Sequence, residues 1–102
     1  MDLTSEDYIL GHKIASTTIT LDSSEIDFYI QNSIKNFTDK LNMSNLEDRR
    51  KAYSFLRHIS TLLMNYDLNG GIYLLGEKEI NKAHLGAKTI IKIIEEFRAK
   101  GL

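Results

Sequence analysis

Three runs of apolar residues at helical period constrain this chain more than any other feature. In the first, Ile26, Ile30, Ile34, Phe37 and Leu41 recur at intervals of four, four, three and four, which predicts a helix over roughly 24 to 41 with one buried face. In the second, Ala52, Phe55, Leu56, Ile59, Leu62, Leu63 and Tyr66 form an arc broad enough to meet more than one neighbour, with Tyr53 and Met64 at a margin. The third, Ile80, Ala83, Ala87, Ile90, Ile91, Ile94 and Phe97, stripes a helix over about 77 to 99, and Gly86 at its edge lets a neighbour approach closely. Such stripes lose contact with water only by closing on one another. The expected fold is therefore all-α: a three-to-four-helix antiparallel bundle, one domain over residues 1–102.

Caps and glycines punctuate the pattern. Thr4 or Ser5 can cap a short helix over 4 to 13, with Glu6 and Asp7 near its positive end, and Asp22, Ser23 and Ser24 can cap the second helix. Ser44-Asn45-Leu46-Glu47 has the form of a capping box opening a helix over about 45 to 66. Asn69-Gly70-Gly71 ends that helix, because glycine accepts the left-handed backbone that a helix terminus commonly needs. Residues 72–75, IYLL, read as a strand or as the first turn of the last helix. Residues 16 to 21 are mostly β-branched and alternate, with Thr17, Ile19 and Leu21 on one face and Ser16, Thr18 and Thr20 on the other, which predicts a short N-terminal strand or extended arm.

Composition excludes several function classes. Thirteen basic against fourteen acidic residues leave a net charge of −1, so any attraction for a polyanion must be local. Without cysteine there is neither disulfide nor thiolate metal site. The acidic start MDLTSEDY is unlike a signal peptide, and the longest purely apolar run, Ile72 to Leu75, is far short of a bilayer span, so the expected location is the cytoplasm. The absence of proline and tryptophan, with abundant Ile, Lys and Asn, suggests an AT-rich coding source such as a phage or mobile element.

The search for reactive constellations returns little. His12, His58 and His84 lie far apart, and none has a His or Glu three or four residues away to make a metal pair on a helix. Gly71 to Lys78 superficially resembles a phosphate-binding loop, but Glu77 stands where the lysine belongs. Adjacent carboxylates such as Glu95 and Glu96 point apart on a helix. No enzyme, cofactor or metal is expected.

The most distinctive polar feature is the cluster Arg49, Arg50 and Lys51, followed by Arg57 and His58. Arg50, Ser54, Arg57 and Thr61 share a strip opposite the apolar arc, a face suited to an anion or an acidic partner through forked guanidinium hydrogen bonds. Phe28, Leu85 and Ile93 fall off the stripes and are candidates for a self-association face.

Residues 16 to 60, running STTITL, a helix, NMSN and a second helix, resemble in outline the ribbon-helix-helix DNA-binding family. That resemblance implies a dimer whose paired strands enter the major groove, with Thr18 and Thr20 facing bases and Ser44 and Asn45 near phosphate. The strand lacks the Arg, Lys, Asn or Gln that make bidentate base contacts, and the plainer bundle is favoured.

The leading expectation is a small non-enzymatic interaction protein, an inhibitor, immunity factor or adaptor, working as a homodimer against a larger protein and not at a membrane. The first alternative is the DNA-binding dimer acting as a repressor. The second is a bundle holding a small anionic ligand with Arg49, Lys51 and His84.

Overall fold

The computed structural model describes residues 3–101 and contains four helices: α1 (Ser5–Thr18), α2 (Ser23–Thr38), α3 (Leu46–Leu68) and α4 (Glu77–Ala99). The three stripes become α2, α3 and α4, and among the described residues there is no strand. The all-α bundle is thus the architecture, and the segment over 16 to 21 is a correction to it. Residues 16–18 complete α1 and residues 19–21 turn towards α2. Side-chain hydroxyls explain why a β-branched stretch stays helical. Thr18 Oγ1 donates to the Ile14 carbonyl at 2.7 Å and Ser16 Oγ to that of Lys13 at 3.2 Å, so the hydroxyls find partners inside the helix.

Caps fix where the helices begin. Thr4 and Asp7 form a capping box, with the Asp7 amide donating to Thr4 Oγ1 at 3.2 Å and the Thr4 amide to Asp7 Oδ2 at 2.9 Å. The box expected at Ser44 is shifted by one residue. Asn45 is the cap, its Oδ1 accepting from the amides of Glu47 and Asp48, while Ser44 Oγ donates to Asn42 Oδ1 at 2.6 Å. Asp22 occupies the cap position of α2 without a side-chain capping bond.

The most extensive packing joins α3 to α4, with α1 laid against α3 and α2 against α4. Helices consecutive in sequence run antiparallel, whereas α1 and α3 run side by side in one direction: Asp7 meets Lys51 near their starts, and Thr18 lies beside Leu63 near their ends. The core is built from Ile14 of α1, Ile26 and Ile30 of α2, Phe55, Leu56, Ile59 and Leu63 of α3, and Ala83 and Ile90 of α4. Burying each large member contributes about 1.5–3 kcal/mol. Phe37 and Phe55 stack with centroids 3.9 Å apart, tying α2 to α3.

Two glycines set the helix spacing. A Cβ on Gly11 would stand 2.5 Å from His58 Cδ2, and one on Gly86 would stand 2.8 Å from Thr18 Cγ2, so α1 sinks onto both α3 and α4 through residues without side chains. The close approach anticipated at Gly86 is made by α1.

Two details of the apolar pattern differ from expectation. Ile93 is buried and Ile91 is 41% exposed, because α4 turns its flank bearing Thr89 and Ile93 towards α2, where Thr89 Oγ1 donates to Asp27 Oδ1 at 3.2 Å. In the turn from α3 to α4, neither glycine takes the left-handed backbone; Leu74 does, at φ 57° and 91% exposed. Gly70 instead makes room for the Ile80 side chain. Residues 72–74 are turn and residue 75 is irregular, so the segment is neither strand nor helix.

Candidate functional site

The antiparallel register of α3 and α4 places the start of α3 beside the end of α4, and there the structure gathers charge that is distant in sequence. Arg98 Nη2 donates to Tyr53 Oη at 2.8 Å. The Arg57 and Arg98 guanidinium carbons each lie 5.8 Å from the Tyr53 ring centroid, within cation–π range. Hydrogen bonds from Arg98 and then Arg57 hold the Tyr53 hydroxyl below the ordinary tyrosine pKa. Two cations therefore share one neutral acceptor. Arg49 lies at the same end, lining a recess of about 350 Å³ with Thr38, Met43, Phe97 and Lys100, and its Nε is sealed from solvent with no acceptor among the described residues.

Ion pairing sharpens this picture. Among the described residues three ion pairs form, Lys35–Asp39, Lys51–Asp7 and His84–Asp67, and none involves Arg49, Arg50, Arg57, Arg98 or Lys100. Cations without carboxylate partners retain their attraction for an external anion. The face comprises these five side chains, with Tyr53 and Phe97 between them.

The structure divides the cluster expected from sequence. Arg49, Arg50 and Arg57 belong to the face. Lys51 does not, because its Nζ lies 3.4 Å from Asp7 Oδ2, with both side chains largely buried. Burial pushes the Asp7 carboxyl up, but hydrogen bonds from Thr4 and the Lys51 charge outweigh it and hold it below the usual carboxylate value.

His58 packs against α1, although it lines a recess with Arg57, Ser54, Thr61, Tyr8 and Leu3. Its ring edge fills the notch at Gly11, Tyr8 stands edge-on at 4.8 Å and His12 at 5.4 Å, and its Nε2 is buried without a partner among the described residues. Burial lowers its pKa, and the nearby His12 charge adds to the effect. Arg98 and Lys100 were missed by sequence reasoning, since only the α3–α4 register brings them to Tyr53 and Arg49. The signal available was Phe97 on the apolar stripe, with Arg98 and Lys100 following it.

The remaining expected sites fare as follows. Thr18 is fully buried and Thr20 sits in a turn, bonded to the Thr17 carbonyl at 2.7 Å, so no ribbon presents them to bases. Ser44 and Asn45 are occupied in the turn and the cap. The anion-binding trio is dispersed: Lys51 pairs with Asp7, and His84 pairs with Asp67 at 2.9 Å towards the opposite end of the α3–α4 pair from Arg49. Of the self-association candidates, Phe28 is 75% exposed and Leu85 39%, but Ile93 is in the core. Sequence reasoning also missed the apolar α3–α4 turn, where Leu68, Ile72 and Leu74 are all at least 75% exposed.

Among the described residues, no group of three or more His, Asp or Glu side chains is placed to hold a metal, and no helix is long and apolar enough to cross a membrane. The chain matches no family model, no curated protein and no solved structure. Its class is that of a small all-α four-helix bundle carrying a cationic face.

Proposed function

We propose that the chain is a small non-enzymatic regulatory protein that grips an acidic surface of a larger cytoplasmic protein and occludes it, as an inhibitor, immunity factor or adaptor does. The observation that carries this reading is the convergence of Arg57 and Arg98 on Tyr53, in a face whose five cations have no carboxylate partner among the described residues. Arginine suits the task, because its planar fork binds carboxylates through paired hydrogen bonds and is more weakly hydrated than an ammonium. Tyr53 adds a rigid, amphipathic surface of the kind enriched at the centres of interfaces. Homodimer formation is part of the proposal. Phe28, Leu85 and the exposed apolar side chains of the α3–α4 turn supply area that association can bury.

The test is capture of a partner from the source cell with the wild-type chain and with the double charge reversal Arg57→Glu, Arg98→Glu, alongside light scattering of each. Specific capture by the wild type that is competed by an acidic peptide and lost in the variant supports the proposal. Capture indifferent to the reversal contradicts it. If the wild type instead retards duplex DNA steeply with falling salt, the face serves nucleic acid.

A further inference from the structure

We propose that the recess between the end of α2, the start of α3 and the end of α4 binds an amphiphilic carboxylate, its apolar chain on Phe97 and Met43 and its head group on Arg49 and Lys100. Three observations converge on this chemistry. The recess has a volume of about 350 Å³. At about 30 Å³ for each water it equals roughly twelve waters, enough for a chain of about eight carbons. Its lining combines an aromatic ring and a thioether with two cations, the pairing of apolar wall and few polar anchors that small-ligand sites favour. Finally, Arg49 lines the recess, and its Nε is sealed from solvent with no acceptor among the described residues, so its charge is unmatched within the fold.

Nearby carboxylates do not supply the match, and Glu47 forms no ion pair among the described residues. Asp48, on the same helical turn, accepts from the Asn42 amide at 2.8 Å, and Asp39 is paired with Lys35 at 2.9 Å. A neutral amphiphile would leave Arg49 unpaired, and a short anion such as acetate would leave Phe97 and Met43 uncovered. Both parts of the ligand are required. The recess shares Arg49 and Lys100 with the cationic face, but Arg50, Arg57 and Arg98 do not line it, so the two proposals can fail separately.

The experiment is titration of the isotope-labelled full chain with octanoate, followed by amide chemical shifts, with octanol and acetate as separate probes. Saturable shifts centred on Thr38, Met43, Arg49 and Phe97 are expected with octanoate. Octanol and acetate should each bind at least tenfold more weakly. Arg49→Met, which keeps the length of the side chain and removes its charge, should weaken octanoate tenfold or more. Lys100→Met, at an exposed position, provides the same readout with a smaller loss should the first variant fold poorly. The proposal is overturned if octanoate causes no saturable shift at millimolar concentration, if octanol binds as well as octanoate, or if the folded variants bind octanoate like the wild type. Because the Arg57 and Arg98 double reversal leaves the recess intact, octanoate binding should survive it.

Discussion

The seams where α1 meets α3 and α4 and the cationic end of the α3–α4 pair obey opposite rules. Along the seams, side chains are matched to one another: Gly86 receives Thr18, Gly11 receives His58, and Lys51 pairs with Asp7. At the cationic end, Arg49, Arg50, Arg57, Arg98 and Lys100 have no carboxylate partner among the described residues. Matching closes a surface and stabilises the fold, whereas a cation without a carboxylate partner contributes little within the chain beyond its contact with Tyr53 and keeps its attraction for an external anion. Substitutions in the two regions should therefore separate, with stability lost at the seams and binding lost at the face.

The largest effect is expected at Gly86→Val, whose new side chain would meet Thr18, Ile30 and Leu63 in the middle of the core. Overpacking there should cost about 3 kcal/mol. That corresponds to a fall in Tm of roughly 12–24 °C for a domain of this size, readable by thermal melting with circular dichroism. A fall of only a degree or two would mean that α1 does not lie as closely on α4 as described.

A smaller effect, and one dependent on pH, belongs to His58. Its pKa is depressed in the fold, chiefly by burial, so the unfolded chain binds the proton more tightly and stability rises with pH across the interval below the unfolded value of about 6.5. Stability should therefore be full above that value and decline on acidification, and His58→Gln should flatten this part of the profile in urea melts taken between pH 7.5 and 5. Asp7 adds a second loss at lower pH, because its depressed carboxyl pKa makes the ionised form the one favoured by folding. A profile unchanged by His58→Gln would remove the histidine from the account of the seam.

At Leu74 the expected change is a gain. The left-handed backbone there suits glycine, so Leu74→Gly should be neutral or stabilising by up to about 1 kcal/mol, although glycine also loses more entropy on folding. Clear destabilisation would show that the exposed leucine has a packing partner within the chain. Smallest of all should be the effect of Arg57→Glu with Arg98→Glu on stability, within about 0.5 kcal/mol for each surface site. A large loss would place these arginines with the seams, as structural residues.

What could be read from the sequence follows the same division. Helices α2, α3 and α4 were legible because Ile26 to Phe37, Ala52 to Tyr66 and Ile80 to Phe97 repeat at the helical period, a local signal. The end of α1 was not, because Thr17, Thr18 and Ile19 carry strand preference that is overridden once Thr18 bonds back to Ile14 and packs at Gly86. Similarly, Ile91 and Ile93 exchanged roles since the stripe of α4 shows a buried face without revealing which flank α2 will cover. At the site, Arg49, Arg50 and Arg57 were legible as a run of charge. That Lys51 would be neutralised by Asp7 from another helix, and that Arg98 would arrive from 45 positions away in sequence to share Tyr53, depended on tertiary register.

The most direct measurement of the central claim is amide chemical-shift mapping of the isotope-labelled chain with a short polyglutamate peptide at low salt, set against a polylysine peptide of equal length. Saturable shifts confined to the surroundings of Arg50, Tyr53, Arg57 and Arg98, weakened by salt and abolished by the double charge reversal, are the predicted result. Shifts scattered over the surface, or equal binding of both peptides, would contradict the assignment of this face as a site for acidic partners.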